Sequence, residues 1–233
     1  MKPRICVSLA SENPSDFLIL IRRAEEAEAD LIEIRLDYLD INPAYAAEIL
    51  GNLVREASVP MIATNRLYDQ GGHRPQDENS RIQILIQAAE AGFEYVDVEL
   101  TVAEIDSIVE KIRSYGSKPI TSFHDFEKTP PLRDMEKIIR SETGVKAEIC
   151  KLVTAARSVE DNLKCLLLVR KMSRLTKIVC FSMGRKGLIS RTLSPVFGGY
   201  FTFASLTDYV KTAPGQLSID ELRSLYEKLG VYQ

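Results

Sequence analysis

The sequence predicts a single (β/α)₈ barrel that spans residues 1–233 as one domain. Short apolar segments alternate with amphipathic helical segments from one end of the chain to the other. Strands that alternate with helices favour a parallel sheet, and 233 residues suit eight such units closed into a barrel. An open doubly wound sheet is the alternative, but no G-x-G-x-x-G pattern follows the first strand.

The predicted strands are short runs bounded by turn residues. In chain order they are Arg4–Leu9, Leu31–Asp37, Pro60–Arg66, Tyr95–Leu100, Lys118–His124, Glu148–Val153, Lys177–Met183 and Tyr200–Ser205. The segments between them carry apolar residues at helical spacing. The predicted helices are Asp16–Ala29, Ala44–Ala57, Ser80–Ala91, Ala103–Tyr115, Leu132–Thr143, Val159–Ser173, a short and weak one at Gly187–Thr192, and Ile219–Leu229. Asn13-Pro14-Ser15 and Ser218 are helix start signals for the first and last of them.

Composition excludes several classes of function. A net charge of -3 gives no basic field for nucleic acid or for an acidic membrane surface, and no apolar run approaches the ~20 residues of a membrane span. The N-terminus enters a strand directly, so we expect no signal peptide and a cytoplasmic protein. Four cysteines lie in apolar segments without a C-x-x-C pattern, which predicts buried, reduced thiols. With two histidines, a histidine-based metal site is not expected.

Charged residues alternate along the second predicted strand. Glu33, Arg35 and Asp37 share one face, because successive strand side chains point to opposite sides. The opposite face is apolar and suits the helices outside a barrel, so the three charged residues are expected to point inward. One interpretation is a structural ion-pair network, because buried charge is costly unless it is paired.

Other predicted strands favour a functional interpretation. Polar residues on the inward faces gather towards the C-terminal ends of several strands, where barrel enzymes hold their active sites. A purely structural network has no reason to prefer one end of the barrel. These residues are Ser8, Thr64, Arg66, Asp97, Glu99, Ser122, His124 and Lys151.

Lys151 is the most informative of these residues. It shares its strand face with Ile149 and Val153, so a lysine lies within an apolar stretch. One interpretation is a core salt bridge to Glu33, Asp97 or Glu99. The other is a nucleophilic amine, with a pKa lowered by desolvation and nearby arginines, that attacks a carbonyl. His124 ends the neighbouring strand and suits proton transfer near neutral pH. His73, in a glycine-rich loop, is interpreted as part of a lid or of the loop surface.

At this point the residues resemble a known family. Ser122-Phe123-His124-Asp125-Phe126 and Cys150-Lys151-Leu152-Val153 are similar to the histidine and lysine segments of type I 3-dehydroquinate dehydratases. Three further fragments resemble the same family in the same order: Glu33 to Asp37, Ser182-Met183-Gly184 through Ser190-Arg191, and Ala213-Pro214-Gly215-Gln216. Each fragment alone is weak, whereas their joint order over nearly the whole chain is specific.

The resemblance implies a lyase of the shikimate pathway that dehydrates 3-dehydroquinate to 3-dehydroshikimate without a metal or cofactor. By position, Lys151 is expected to form the imine and His124 to transfer protons. Glu33, Arg35 and Arg66 resemble the groups that hold the substrate ring hydroxyls. Ser8 is expected to line the pocket, and the resemblance favours a homodimer. The residues similar to those at the substrate carboxylate are Arg191 and Gln216, with Thr212 supplying a hydroxyl nearby.

The chain departs from the family pattern at two positions. Gln70 stands before the paired glycines of the strand-three loop, where many members carry a glutamate. A glutamine forms hydrogen bonds but supplies no charge, which puts an auxiliary carboxylate for His124 in doubt. Thr212 stands where a serine is common, which keeps the hydroxyl and adds a methyl group.

Two alternatives to this function stay open on the sequence. Another Schiff-base barrel, such as an aldolase, shares the lysine and often binds phosphate near strands seven and eight. Gly184-Arg185-Lys186-Gly187 fits such a phosphate site or a simple basic turn. The second alternative is a non-catalytic barrel that binds a small acid, which predicts binding without a borohydride-sensitive lysine.

Overall fold

A computed structural model describes residues 2–206 and 216–231 of the chain. Eight parallel strands form one sheet in the order β7-β6-β5-β4-β3-β2-β1-β8, and the helices lie outside it. The strands are β1 Ile5–Leu9, β2 Leu31–Arg35, β3 Met61–Thr64, β4 Tyr95–Glu99, β5 Lys118–Asp125, β6 Ile149–Ala155, β7 Lys177–Met183 and β8 Thr202–Ala204. This arrangement confirms the predicted (β/α)₈ barrel.

Each strand is followed by a helical segment. The helices are α1 Pro14–Glu26, α2 Pro43–Glu56, α3 Glu78–Ala91, α4 Ile105–Ser114, α5 Leu132–Gly144, α6 Asp161–Met172, α7 Leu188–Leu193 and α8 Ile219–Lys228. The two predicted start signals are confirmed. The Asn13 side chain accepts a hydrogen bond from the Ser15 amide at the start of α1, and Ser218 forms a capping box with Glu221 at the start of α8.

The second strand is shorter than the sequence predicted. It ends at Arg35, and Leu36–Tyr38 continue as a 3₁₀ turn. Asp37 is therefore part of a turn rather than of the strand face that holds Glu33. Within this turn, the Asp37 carboxylate accepts two hydrogen bonds from the Arg35 guanidinium, at 2.8 and 2.7 Å. The alternation of polar and apolar residues alone could not predict where the backbone hydrogen bonds between β2 and its neighbouring strands end.

Barrel closure is uneven around the ring. Seven neighbouring strand pairs form parallel ladders, whereas β7 and β8 share no ladder among the described residues. At this seam, the Tyr200 amide donates to the Ile178 carbonyl at 2.7 Å just before β8 begins. The Ser182 amide of β7 donates instead to the Ser190 hydroxyl of α7, at 3.0 Å. A side chain thus satisfies a backbone donor that a neighbouring strand would otherwise satisfy.

Two kinds of apolar packing hold the barrel together. Outer strand residues and helix residues form the larger core, which includes Phe17, Leu50, Leu85 and Tyr226. Inside the barrel, a smaller cluster fills the ring with side chains, as in other barrels of this size. Its buried members are Cys6, Leu31, Ile62, Tyr95, Ile120, Ile149, Val153, Val179, Phe181, Phe201 and Phe203.

The cysteines are buried and free, as the sequence predicted; they are Cys6, Cys150, Cys165 and Cys180. Across the described part of the chain, each helix is too short or too polar to cross a lipid bilayer.

Candidate active site

A cavity of about 230 Å³ opens at the C-terminal ends of the strands. Its lining divides into two regions. The polar region comes from β1 to β6 and the turns after them, and consists of Ser8, Glu33, Arg35, Thr64, Arg66, Gln70, Gly71, His124, Phe126 and Lys151. The apolar region comes mainly from β6 to β8 and consists of Val153, Phe181, Met183 and Phe203, with Arg191 and Gln216 beside it.

Lys151 lies in the polar region of the cavity, on β6. Its Nζ is 2.7 Å from Asp97 Oδ2, 3.6 Å from Glu33 Oε1 and 4.6 Å from the centre of the Phe203 ring. The side chain is buried, with 5% of its surface exposed. The structure thus contains the core salt bridge that the alternative interpretation of Lys151 predicted. It also places the amine at the cavity wall, so the salt bridge and a role as nucleophile are compatible.

Glu33 is fixed by neighbouring strands. Its two carboxylate oxygens accept hydrogen bonds from Ser8 Oγ at 2.5 Å and from Thr64 Oγ1 at 2.8 Å. The strand register explains this contact, because Ser8 pairs with Glu33 between β1 and β2. The carboxylate is therefore held in one orientation close to Lys151.

Arg66 connects the site to a wider network of ion pairs. Its guanidinium binds Asp97 at 2.9 Å and Glu99 at 2.6 Å, and it also donates to Ser122 Oγ at 2.8 Å. Burial raises the pKa of Asp97, but the cations Arg66 and Lys151 outweigh that effect and hold it well below its usual value. Charges of alternating sign thus stabilise one another inside the barrel.

The same network reaches the surface through a helix residue. Arg81 of α3 is buried, and it binds Glu99 at 2.8 Å and Glu78 at 2.8 Å. It also donates to the Asn65 carbonyl at 2.6 Å. Arg81 was not predicted from the sequence, because strand alternation gives no information about helix side chains that reach into the barrel.

Arg35 lies at the rim of the polar region. Besides its paired bonds to Asp37, it donates to the Gly71 carbonyl at 3.1 Å. Asp37 also accepts from the His73 amide at 2.9 Å. The predicted surface loop around His73 is therefore attached to the barrel, and the His73 ring stacks on Tyr38 at 4.1 Å between centroids.

His124 lies on β5 beside Lys151. In the β5–β6 register Ser122 pairs with Lys151 and His124 pairs with Val153, so His124 and Lys151 share a face, one step apart. Its backbone amide and Nδ1 are 3.0 and 3.3 Å from Gln70 Oε1. Burial lowers the pKa of His124 well below its usual value, and the cations Arg66 and Lys151 lower it further. The imidazole is therefore neutral at physiological pH.

Arg191 differs from the other cations of the cavity. It is 3% exposed on α7, and its guanidinium carbon lies 4.5 Å from the centre of the Phe181 ring. Within residues 2–206 and 216–231, it forms no salt bridge to a carboxylate. Burial lowers its pKa to about 10, so it remains a cation at neutral pH. A buried cation without an acidic partner suits binding of an anionic ligand.

The remaining predicted site residues have different outcomes. Gln216 is buried and lines the cavity near Arg191. Thr212 lies outside the described residues, as does most of the 205–216 loop. Among the residues that the structure describes, no group of three or more His, Cys, Asp or Glu side chains could hold a metal ion.

The apolar lining was not predicted, although strand register contains the signal. Lys151 pairs with Val179 and Val153 pairs with Phe181 between β6 and β7. Phe181 and Met183 therefore share the inward face of Lys151. Phe203 follows in the same way from its pairing with Cys6.

The basic turn at Gly184-Arg185-Lys186-Gly187 packs closely on the barrel. A Cβ added to Gly187 would lie 2.2 Å from the Ser182 carbonyl oxygen, so only glycine fits there. Lys186 Nζ donates to the Arg157 carbonyl at 2.9 Å, and its own carbonyl accepts from Asn162 at 2.7 Å. These contacts suit the simple basic turn, one of the two interpretations that the sequence left open.

Comparison with known proteins decides the family. A family model described as Type I 3-dehydroquinase matches residues 5–233. The chain belongs to the type I 3-dehydroquinase family. It is 36% identical over 227 residues to a 3-dehydroquinate dehydratase of Methanopyrus kandleri, a match that covers 97% of this chain and 100% of that protein. It is 33% identical over 214 residues to the Methanosarcina acetivorans 3-dehydroquinate dehydratase, which covers 89% and 88% of the two chains.

Solved structures agree with this assignment. The 3-dehydroquinate dehydratase of Geobacillus kaustophilus superposes with a TM-score of 0.92 at 25% identity, over 100% of this chain and 93% of that one. A deoxyribose phosphate aldolase from Aeropyrum pernix superposes with a TM-score of 0.63 at 17% identity, covering 95% and 90%. The aldolase likeness shows the shared barrel fold alone.

Proposed function

We propose that the chain dehydrates 3-dehydroquinate to 3-dehydroshikimate through an imine on Lys151, with His124 as the general base and acid. Family membership supports the overall reaction. The single observation that supports the covalent mechanism is the position of Lys151, buried at the cavity wall one register step from His124. A lysine that forms an imine converts a ketone into an electron sink, which is what loss of an adjacent proton requires.

The first steps form the covalent intermediate. Lys151 Nζ passes a proton to the neutral imidazole of His124 and attacks the C3 carbonyl carbon. His124 then returns that proton to the carbinolamine hydroxyl, which leaves as water and gives a protonated imine. Asp97 and Glu33 lie close enough to Nζ to stabilise this cation by charge. The two carboxylates thus form ion pairs first with the Lys151 ammonium and then with the iminium.

Elimination follows at the neighbouring carbons. The neutral imidazole of His124 removes the C2 proton, and the electrons pass to the iminium nitrogen to form an enamine. Return of those electrons expels the C1 hydroxyl, which takes the proton from His124 and leaves as water. One histidine serves both steps, so proton and hydroxyl leave from one face. Water then hydrolyses the product imine and releases Lys151.

The carboxylate of the substrate is assigned to Arg191. The guanidinium fork matches a carboxylate through two parallel hydrogen bonds, and the structure supports this role because Arg191 is buried without an acidic partner among the described residues. Gln216 lies beside it in the cavity lining, and we assign Thr212 to the same end of the substrate. Glu33, Arg35 and Arg66 are assigned to the ring hydroxyls, with Ser8 at the cavity wall.

The sequence offers a direct test of the covalent step. Borohydride added together with 3-dehydroquinate should reduce the imine and leave a ligand-sized mass on Lys151. In a tryptic digest, the modified lysine blocks cleavage, so the adduct should appear on the peptide Ala147–Arg157. Lys151→Ala should lose both the adduct and turnover, while Lys164→Ala, on the outer helix α6, should keep both.

Two results of that experiment would contradict the proposal. An adduct on a different lysine would show that Lys151 is not the nucleophile. Substrate binding without any adduct and without an enone product would indicate the non-catalytic acid-binding barrel.

We also propose that the chain acts as one domain in the cytoplasm and assembles as a homodimer. An exposed apolar stripe on α6 supports the dimer, because large apolar patches mark interaction surfaces. Leu163 and Leu167 of α6, with Val159 just before the helix begins, are spaced four residues apart along the chain and are 61%, 58% and 56% exposed. Sedimentation velocity should show a dimer that Leu163→Lys with Leu167→Glu converts to a monomer. Ile19→Lys, on α1, is the matched control, and a wild-type monomer would contradict the proposal.

A further inference from the structure

We infer that Gln70 is a positioning residue that holds His124 in the tautomer with the proton on Nδ1, leaving Nε2 as the unprotonated nitrogen. This inference rests on the proposed role of His124 as the base. Three hydrogen bonds of the described residues carry it, and each can be assigned a direction.

The orientation of the Gln70 amide follows from its two ends. The His124 backbone amide can only donate, and it lies 3.0 Å from one amide atom of Gln70, which must therefore be the oxygen. The nitrogen at the other end, Nε2, donates to Thr101 Oγ1 at 2.9 Å. The His124 amide alone sets this orientation, because a flipped side chain would point its NH2 group at another donor, whereas the Thr101 hydroxyl could bind either end of the amide.

The tautomer of His124 follows from that orientation. Nδ1 lies 3.3 Å from the same Gln70 oxygen, and that oxygen has no proton to donate. A hydrogen bond at this position therefore requires the proton on Nδ1. In a neutral imidazole the other nitrogen, Nε2, then carries the lone pair, and His124 lines the cavity.

The turn that presents Gln70 is fixed by its surroundings. Gln70 ends the 3₁₀ turn Tyr68–Gln70 and is buried. Gly71 follows with φ +87°, and a Cβ there would lie 2.6 Å from the Phe126 ring. A Cβ on Gly72 would lie 2.3 Å from the Arg66 carbonyl oxygen. Two successive positions thus accept only glycine, which fixes the approach of the Gln70 side chain to His124.

A neutral amide at this position has a chemical consequence. The charged groups around His124 are Arg35 of β2, Arg66 after β3, Asp97 of β4 and Lys151 of β6. Three of these four are cations, and Gln70 adds no negative charge to offset them. Protonated His124 is therefore a stronger acid than an ordinary imidazolium. This favours delivery of its proton to the departing hydroxyl and weakens removal of the C2 proton by the neutral ring. Gln70 balances these two steps while fixing the geometry of both.

Nuclear magnetic resonance of the free enzyme tests the tautomer without substrate. The chain has two histidines, so ¹⁵N-histidine labelling gives two sets of ring signals, and His73→Gln identifies those of His124. We expect the long-range ¹H–¹⁵N pattern of the Nδ1–H tautomer near neutral pH. The Nε2–H pattern would overturn the inference. Thr101→Val, at an exposed position, removes the partner of the amide nitrogen but leaves the His124 backbone amide, so the Nδ1–H pattern should persist in this variant.

The pH dependence of turnover provides the second test. In Gln70→Glu a carboxylate accepts from Nδ1 and stabilises imidazolium, so the acid limb of the kcat profile should move to higher pH by about 1 unit. KM should change much less than kcat. Gln76→Glu places the same charge in the same loop near Asn65 and should leave the limb in place. An unmoved limb in Gln70→Glu would overturn the inference.

The two proposals fail in different ways. If His124→Ala retains near-normal turnover, the assignment of His124 as the base is wrong. The tautomer of His124 in the free enzyme would still decide whether Gln70 positions the ring.

Discussion

The two regions of the cavity treat buried charge in opposite ways. In the polar region every cation has an acidic partner: Lys151 binds Asp97, Arg66 binds Asp97 and Glu99, and Arg35 binds Asp37. In the apolar region Arg191 packs on Phe181 and binds no carboxylate among the described residues. The polar region is thus complete without a ligand, whereas the apolar region has a cation that a ligand can neutralise. The difference separates groups that stabilise the barrel from a cation that we assign to the substrate carboxylate.

Replacing one arginine in each region should break this comparison most clearly. Arg66→Met leaves Asp97 and Glu99 without their shared cation, so we expect a loss of about 3–5 kcal/mol in the free energy of unfolding. Arg191→Met removes a buried cation that has no acidic partner among the described residues, so we expect stability to be unchanged or higher and substrate binding to be lost. Urea denaturation of both variants measures the contrast. Equal destabilisation would show that Arg191 has a structural partner equivalent to those of Arg66.

A more conservative change at Arg191 tests the shape of the cation rather than its charge. Arg191→Lys keeps the charge but loses the fork, so substrate binding should weaken by about 1–3 kcal/mol. Steady-state kinetics and thermal shift with 3-dehydroquinate measure the effect. Arg185→Lys, on the exposed turn before α7, is the control and should behave as wild type. Unchanged binding in Arg191→Lys would place the carboxylate elsewhere.

A buried acid outside the cavity sharpens the comparison from the polar side. Glu142 of α5 is fully buried, and it lies outside the cavity lining. Burial raises its pKa well above the usual value of 4.5, and the negative charge of Asp97 raises it further. The folded state therefore binds a proton that the unfolded state releases near pH 4.5. Protonated Glu142 therefore makes its whole contribution to the free energy of unfolding below that pH, and the contribution falls as pH rises towards the folded-state pKa.

Glu142→Gln removes that dependence. The amide cannot ionise, so its stability relative to wild type should grow as pH rises from 4.5 towards neutrality, which Tm measurements across this range would show. Glu136→Gln, on the same helix and paired with Lys171 at the surface, should show no such trend. If the difference in Tm between Glu142→Gln and wild type stayed constant across this range, Glu142 would not be the source of the pH dependence.

The smallest expected effect concerns the aromatic support of Arg191. Phe181→Leu keeps an apolar side chain but removes the ring face, so substrate affinity should fall by about 0.5–2 kcal/mol, the usual range of a cation–π contact. Isothermal titration with a non-reactive substrate analogue measures this change. Phe201→Leu, deeper in the barrel, is the control, and an equal loss of affinity in both variants would point to general loosening of the barrel.

Sequence reasoning predicted the positions of these residues better than their partners. Alternation along the strands, together with the rule that barrel sites lie at C-terminal strand ends, placed Glu33, Arg66, His124 and Lys151 around one cavity. Alternation also contains the signal for Phe181, which pairs with Val153 in the sheet. A one-dimensional pattern says which face a residue occupies, which explains this success.

Pairing in three dimensions could not be predicted in the same way. Three acids were candidates for Lys151, and the structure pairs it with Asp97 at 2.7 Å and with Glu33 at 3.6 Å, distances that depend on barrel closure and side-chain length. Arg81 reaches Glu99 from a helix, outside any strand rule. The strand β2 ends at Arg35, and Arg35 binds Asp37 within the turn that follows. Non-local geometry decided the first two of these outcomes, and a local turn the third.

The seam between β7 and β8 has a consequence for the mechanics of the barrel. Aromatic contacts cross it, with Phe181 and Phe203 in an edge-on arrangement at 6.2 Å between ring centroids, where elsewhere the neighbouring strands share a ladder of backbone bonds. Ring contacts tolerate sliding, whereas ladder bonds require a fixed register. A ring that is continuous except at one place bends there first. Arg191, which we assign to the substrate carboxylate, packs on Phe181 at this seam, so we expect small movements that fit the site to its ligand to cost the rest of the barrel little.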